Sequence, residues 1–211
     1  MMINKELENA VYARNIPGIQ EKLKRGRVAI AGLGGLGSNV AVMLARIGTG
    51  RLLLIDFDKV EPSNLNRQHY NPAHVGMLKT DALKSQIEQI NPFVEVETRA
   101  VKITEENAGE LLADYEIVCE AFDDARFKAD LVNVMLEQGG KKIVAASGMN
   151  GFADSNKIRT AKKLKNLYVC GDGVPAEQAG VGFMAPRVMI CAGHQANMIV
   201  RLLLDIPDAE E

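Results

Sequence analysis

The sequence predicts an α/β fold, a Rossmann-like doubly wound sheet that is mainly parallel and turns antiparallel toward the C-terminus. Three observations predict it. Short apolar runs, first Arg27–Ala31, then Arg51–Ile55 and later Lys142–Ala146, recur between stretches of helical periodicity. That alternation is the pattern of βαβ units on a buried parallel sheet. The first run passes straight into Gly32-Leu33-Gly34-Gly35-Leu36-Gly37 and then into a helix, the strand–glycine–helix order of a nucleotide-binding turn. After Ser147 the chain changes to glycine, asparagine and short alternating runs, which read as one or two antiparallel strands or a hairpin.

The elements follow in order. Residues 4–14 read as a short helix. Pro17 reads as lying near the first turn of a second helix over residues 18–24, where a missing N–H costs nothing. Strand Arg27–Ala31 and the glycine loop precede a helix over residues 38–47, stopped by Gly48. The second strand, Arg51–Ile55, is closed by Asp56. Residues 57–77 hold Pro62, Ser63, Asn64, Asn66, Asn71, Pro72 and Gly76, a long loop rich in turn residues. Loops of that length in compact domains are usually functional or disordered. A helix over Lys79–Ile90 ends at Asn91-Pro92, and residues 93–101 alternate like a strand. Thr104 opens a helix, with Glu105 and Glu106 favouring its positive end. Residues 115–120 read as a strand, 123–138 as a helix and Lys142–Ala146 as a strand. The antiparallel segment covers residues 148–172. Residues 183–204 form a long apolar helix that covers the sheet or a subunit contact.

Composition narrows the function. The 211 residues suit one domain with a real core. With 25 Lys and Arg against 27 Asp and Glu there is no basic excess, so a nucleic-acid wrapper is not favoured. No apolar run approaches the roughly 20 residues of a membrane span. The start lacks a secretory apolar stretch, so the expected location is the cytoplasm. Cys119, Cys170 and Cys191 are far apart, with no Cys-x-x-Cys pair. No zinc site is expected, and the thiols read as buried or incidental.

Gly32, Gly34 and Gly37, with Gly35 between them, let backbone N–H groups approach a phosphate at the positive end of the following helix. Asp56 lies about 20 residues on, where an acidic side chain binds ribose hydroxyls. A nicotinamide dehydrogenase fits these features equally well. The next segment separates the cases. Arg67 and Lys79 have no use in a dehydrogenase, whereas a triphosphate calls for a forked guanidinium and a point charge. Ser63 and Asn64 add neutral donors.

These residues carry a resemblance. The run from Gly32 through Ser63-Asn64-Leu65-Asn66-Arg67-Gln68, then Gly76-x-x-Lys79 and Asn91-Pro92, resembles the ThiF/MoeB/HesA family, the bacterial relatives of ubiquitin-activating enzymes. It extends from about Tyr12 to Leu204 and is most similar to the compact ThiF variant of thiamine biosynthesis. The resemblance implies a single adenylation domain over residues 1–211. Its parts are a helical arm (1–25), a nucleotide-binding core (26–147), and C-terminal strands and helix (148–211). It implies an ATP- and magnesium-dependent adenylyltransferase acting on the C-terminal glycine of a ubiquitin-like sulfur carrier. Asp56 would hold the ribose, Arg67 and Lys79 the phosphates, with Ser63 and Asn64 supporting them. Such a site needs no protein nucleophile, because the substrate carboxylate attacks the α-phosphate; cations and backbone donors suffice.

Asp123, after the strand at 115–120, is placed to hold magnesium; its alternative is a helix cap. The family shows Asp-Asn before a nearby Arg, whereas this chain has Asp123-Asp124-Ala125-Arg126. Val11-Tyr12-Ala13-Arg14 is similar to the family's N-terminal run, whose last Arg reaches the nucleotide of a neighbouring subunit. Arg14 would then be an arginine finger and the protein a homodimer; an exposed helix Arg is the alternative. Larger family members use a cysteine in the region of Cys170. His69 and His74 have no partner at metal spacing, His194 reads as packed, and Lys162-Lys163-x-Lys165 as a solvated face. The rival readings are a relative adenylating a tRNA-bound or peptide carboxylate, a nicotinamide-dependent oxidoreductase, and a non-catalytic binding module of the same fold.

Overall fold

The structure is a computed structural model, and it describes residues 5–174 and 182–206. Seven strands form one sheet: β1 (Arg27–Ala31), β2 (Arg51–Ile55), β3 (Glu95–Arg99), β4 (Ile117–Glu120), β5 (Lys142–Ala146), β6 (Arg159–Leu164) and β7 (Leu167–Gly171). Their order is β3-β2-β1-β4-β5-β7-β6. Every pairing is parallel except β6 with β7. Seven described helices surround it: α1 (Lys5–Val11), α2 (Ile19–Arg25), α3 (Gly37–Arg46), α4 (Lys79–Ile90), α5 (Glu105–Leu111), α6 (Ala125–Gln138) and α7 (Ala185–Leu203).

Alternation along each strand divides the core into two layers. Val28, Ile30, Leu52 and Leu54 join Val40, Leu44, Leu83, Ile87 and Ile199 on the face covered by α3, α4 and α7. Ala29, Ala31, Leu53 and Ile55 join Leu112, Leu131 and Met135 under α5 and α6. Burial on both faces explains why these strands read as unbroken apolar runs. None of the described helices is long and apolar enough to cross a membrane.

Differences from the sequence reading have local causes. Gly18, with φ of +83°, takes the N-cap of α2, so Pro17 lies outside the first turn. The helix expected from residue 123 starts at Ala125 because the Asp124 side chain caps it. The expected hairpin is β6–β7, but only β6 is antiparallel; β7 folds back between β6 and β5 and runs parallel to β5. The 57–77 loop is folded on itself. Val60 N–H donates to the Met77 carbonyl and Gly76 N–H to the Val60 carbonyl, each at 2.9 Å. Two short 3₁₀ turns, Pro62–Asn64 and Pro72–His74, each start with a proline.

β1 leads through α3 to β2 on one side and its neighbour β4 leads through α6 to β5 on the other, so the connections from their adjacent C-terminal ends run in opposite directions. That is the switch point where open α/β sheets bind ligands.

Candidate active site

The site grows from the turn between β1 and α3. Gly32 has φ of +92°, and a Cβ there would lie 2.8 Å from the Ala121 carbonyl oxygen. A side chain on Gly37 would collide with the Gly32 carbonyl. These glycines let the loop close tightly between β1 and β4. Tyr70, buried, donates from its hydroxyl to the Leu33 carbonyl at 2.9 Å. Burial and the nearby Asp56 hold the Tyr70 phenol well above its ordinary range.

Asp56 ends β2 under this loop. Its Oδ2 accepts the Leu33 N–H at 2.7 Å and its Oδ1 the Asp58 N–H at 2.8 Å. Burial raises its pKa above the ordinary carboxylate value, with Lys79 and these two N–H groups opposing. Lys79, at the head of α4, is buried; its Nζ is 2.8 Å from Asp58 Oδ2 and 3.9 Å from Asp56 Oδ2. The Lys79 N–H also donates to the Asp58 carbonyl at 3.0 Å. Asp58 therefore holds both ends of the lysine.

Arg67 lies across the glycine loop. A Cβ on Gly35 would lie 3.5 and 3.6 Å from Arg67 Cγ and Cδ, so the aliphatic stem rests against bare backbone. Arg67 Nη1 donates to the Ser63 carbonyl at 3.1 Å and Asn66 Oδ1 at 2.9 Å. Phe183 covers the guanidinium, its ring centre 5.2 Å from Cζ. Gln68, also buried, has its Nε2 3.8 Å from where a Gly34 Cβ would stand.

On the other side, Phe122 approaches Gly32, and Asp123 follows it, exposed. The buried Glu120 carboxylate accepts the Phe122 N–H at 2.8 Å and pairs with Lys128. Burial raises the Glu120 pKa against the pull of Lys128. Asp124 accepts the Arg126 N–H at 2.8 Å, a bond that lowers its pKa. Of the two aspartates, then, it is Asp124 that caps α6.

The structure thus brings Gly32, Gly34, Gly35, Gly37, Asp56, Arg67, Lys79 and Asp123 to one sheet edge. Ser63 and Asn64 sit in the Arg67 turn, Asn64 buried and Ser63 exposed, and both side chains are engaged within that turn. Asn64 Oδ1 accepts the Glu61 N–H at 3.1 Å in a capping box, and Ser63 Oγ lies 3.4 Å from Glu61 Oε2. They shape the turn that Arg67 leans on. Arg14 is exposed beyond α1. Its neighbour Tyr12 is held by Asn91 at 2.6 Å beside Gly48, just past the C-terminal end of α3, and α3 starts at the glycine loop. At about 1.5 Å per residue this puts Tyr12 on the order of 15 Å from the loop.

Cys170 is buried and lies against Thr160 Oγ1. Burial pushes its thiol up to about 11, and that of Cys191 to about 12. These are the opposite of activated thiols.

Sequence reasoning missed four residues. Ser38, Asn39, Tyr70 and Asp58 all brace the site. Asp58 lies in the 57–77 loop, where the sequence alone assigns it no role. Ser38 and Asn39 read only as helix.

The arrangement suits a polyanion: bare loop backbone at a helix N-terminus, flanked by a guanidinium and an ammonium. The model of the ThiF family matches residues 8–211. The molybdopterin-synthase adenylyltransferase of Haemophilus influenzae is 41% identical over 198 residues, covering 89% of this chain and 78% of that protein. The sulfur carrier protein adenylyltransferase of Thermus thermophilus is 41% identical over 109 residues, 51% of this chain and 40% of that protein. The chain spans 30% and 28% of two adenylyltransferase and sulfurtransferase proteins that it also matches. The E. coli tRNA N6-threonylcarbamoyladenosine dehydratase TcdA, solved with ATP, shares the fold at a TM-score of 0.85 and 21% identity, over 97% of this chain and 98% of that one. The family-model match over residues 8–211 and the 41% identity to the Haemophilus influenzae protein show that the chain belongs to the ThiF family.

Proposed function

We propose that this protein uses ATP to adenylate the C-terminal glycine carboxylate of a ubiquitin-like sulfur carrier, and that this carrier serves thiamine biosynthesis. The observation that supports it most is the convergence of Arg67 and Lys79 on the glycine loop above Asp56. Named relatives are adenylyltransferases, one of them of a sulfur carrier protein.

In this reading Asp56 accepts from the ribose hydroxyls through lone pairs that the Leu33 and Asp58 N–H groups leave free. This reading assigns the base to an open cavity of about 320 Å³ lined by Lys102, Ile103, Thr104, Phe127 and Leu131 together with the carboxylates Glu105, Glu106 and Asp130. The bare backbone from Leu33 to Gly37 lies along the phosphates. Lys79 moves from Asp58 toward the triphosphate, and Arg67 forks phosphate oxygens from the opposite wall. The carrier carboxylate attacks the α-phosphorus, the bond to the β-phosphate oxygen breaks, and pyrophosphate leaves with the charge Arg67 and Lys79 have neutralised. Asp123 would hold magnesium, which screens the phosphates. Among the described residues it is the carboxylate beside β4 left open, since Glu120 and Asp124 are engaged. Arg14 stands beyond α1, near the end of α3 remote from the loop, and the reading makes the protein a homodimer in which Arg14 acts on the partner's nucleotide.

The test is carrier-dependent exchange of labelled pyrophosphate into ATP, with small carriers ending in Gly-Gly. Exchange driven by a thiamine-type carrier supports the reading. Exchange with none of them, or exchange driven by tRNA instead, overturns it.

A further inference from the structure

We infer that Asn39 is a positioning residue for Arg67, acting in the nucleotide site on which the proposed function rests. Asn39 is 4% exposed. Its Nδ2 donates to the Gly35 carbonyl at 2.7 Å and the Arg67 carbonyl at 3.1 Å. Gly35 is the residue on which the Arg67 stem lies. One carboxamide therefore joins the two backbones whose contact sets where the guanidinium starts. Its neighbour Ser38 repeats the device: Oγ donates to the Gly34 carbonyl at 2.6 Å and accepts the His69 N–H at 2.9 Å. Consecutive side chains in the first turn of α3 thus staple residues 67–69 onto residues 34–35.

Two features separate this from ordinary core packing. Asn39 donates its amide hydrogens across the loop junction, so it has no donor left for a ligand and must act through Arg67. Alanine is also the better helix former at such a position, so the carboxamide contributes through its cross-loop bonds. Elsewhere Arg67 is held within its own turn, by its N–H bond to the Asn64 carbonyl at 3.2 Å and its Nη1 bonds to Ser63 and Asn66, and the Phe183 ring lies over its guanidinium. Without Asn39, two carbonyls lose a donor and the Arg67 carbonyl loses its direct tie to the glycine loop, leaving the Ser38 bond to His69 two residues further on.

The experiment is a double-mutant cycle on equilibrium binding of ATP with magnesium, using full-length Asn39→Ala, Arg67→Ala and the double variant. In the native background Asn39→Ala should weaken ATP binding roughly tenfold, the scale on which a displaced binding group loses its effect. In the Arg67→Ala background the same change should cost less than about twofold, because coupled residues are not additive. Equal losses in both backgrounds, or none in the native one, overturn the inference while leaving the ATP site standing. A neutral Arg67→Ala overturns the site reading itself, and the inference with it. Asn39→Asp, isosteric but aiming a carboxylate at two carbonyl oxygens, should lose at least as much as alanine. If Asn39→Ala fails to fold by circular dichroism, Asn39→Ser, whose single short hydroxyl can reach the Gly35 carbonyl of its own helix turn but not the Arg67 carbonyl as well, enters the same cycle with the same two outcomes.

Discussion

Lys79 offers the sharpest test, because its removal should be felt in stability, in pH dependence and in activity together. Its side chain is 8% exposed, as is that of Asp56, and the two charges are 3.9 Å apart. At an effective dielectric of about 20 that separation corresponds to about 4 kcal/mol of attraction. The loss on Lys79→Ala should be smaller. Two backbone N–H groups, from Leu33 and Asp58, still face the Asp56 carboxylate. The Lys79–Asp58 pair adds little, since the Asp58 side chain is 52% exposed and solvent screens it. A destabilisation of about 2–3 kcal/mol at pH 8 follows, at or just under the range for breaking a buried pair.

The pH dependence has a definite sign. Burial already raises the folded pKa of Asp56 above its ordinary 3.8, and losing Lys79 raises it further. A group with a raised folded pKa gives stability that is complete below its unfolded pKa and lost as pH rises through the folded one. The deficit of Lys79→Ala relative to the native protein should therefore be largest at pH 8 and shrink toward pH 4. The chain has no tryptophan, so urea unfolding is best followed by far-ultraviolet circular dichroism. Adding Asp56→Asn to Lys79→Ala should restore most of the loss. A deficit under about 1 kcal/mol, one that does not change with pH, or a double variant that adds the two losses would refute the pair. Adenylation by Lys79→Ala should fall roughly 10²–10³-fold, as for a lost charge-stabilising donor.

Two further outcomes are expected. Arg14→Ala and Asp123→Ala, each nearly inactive alone, should recover part of the activity when mixed, because exchanged subunits assemble one site with both residues; no recovery counts against a shared site. Cys170→Ser should adenylate at the native rate, and the folded protein should resist thiol reagents at pH 8, where a thiol near 11 is only about 0.1% thiolate; rapid labelling would contradict the burial of Cys170.

Much of the fold was legible because buried parallel strands are unbroken apolar runs, and because a glycine loop, an acidic strand end and two cations keep fixed spacing. What was not legible depends on partners distant in sequence. Asn39 bonds to Arg67 and Ser38 to His69 across 28 and 31 residues, and a helix start carries no mark of that. Asn64 read as a ligand donor because its type permits one, but a local capping box takes the side chain. The resemblance favours Asp123 for the metal but gives Asp124 no role, and the backbone shows that Asp124 caps α6.

The loop glycines show the same gap, and it can be measured. In sequence Gly34 and Gly37 are equivalent members of one motif. In the structure a Cβ on Gly37 collides with the Gly32 backbone carbonyl, whereas on Gly34 it meets only Gln68 Nε2 at an ordinary 3.8 Å. Gly37→Ala must therefore shift the loop against β1, with a cost of about 1–3 kcal/mol as for overpacking. Gly34→Ala should change stability by less than about 0.5 kcal/mol. If backbone at Gly34 is where a phosphate approaches, that same harmless substitution should still weaken ATP binding, because its methyl group occupies the ligand's side of the turn. Unfolding curves and ATP titrations on the two variants separate the roles. A Gly34→Ala protein with native stability and native ATP affinity would mean that the phosphate lies against another part of the loop. Loss of stability at Gly34 would mean that the glycine serves the turn and not the ligand.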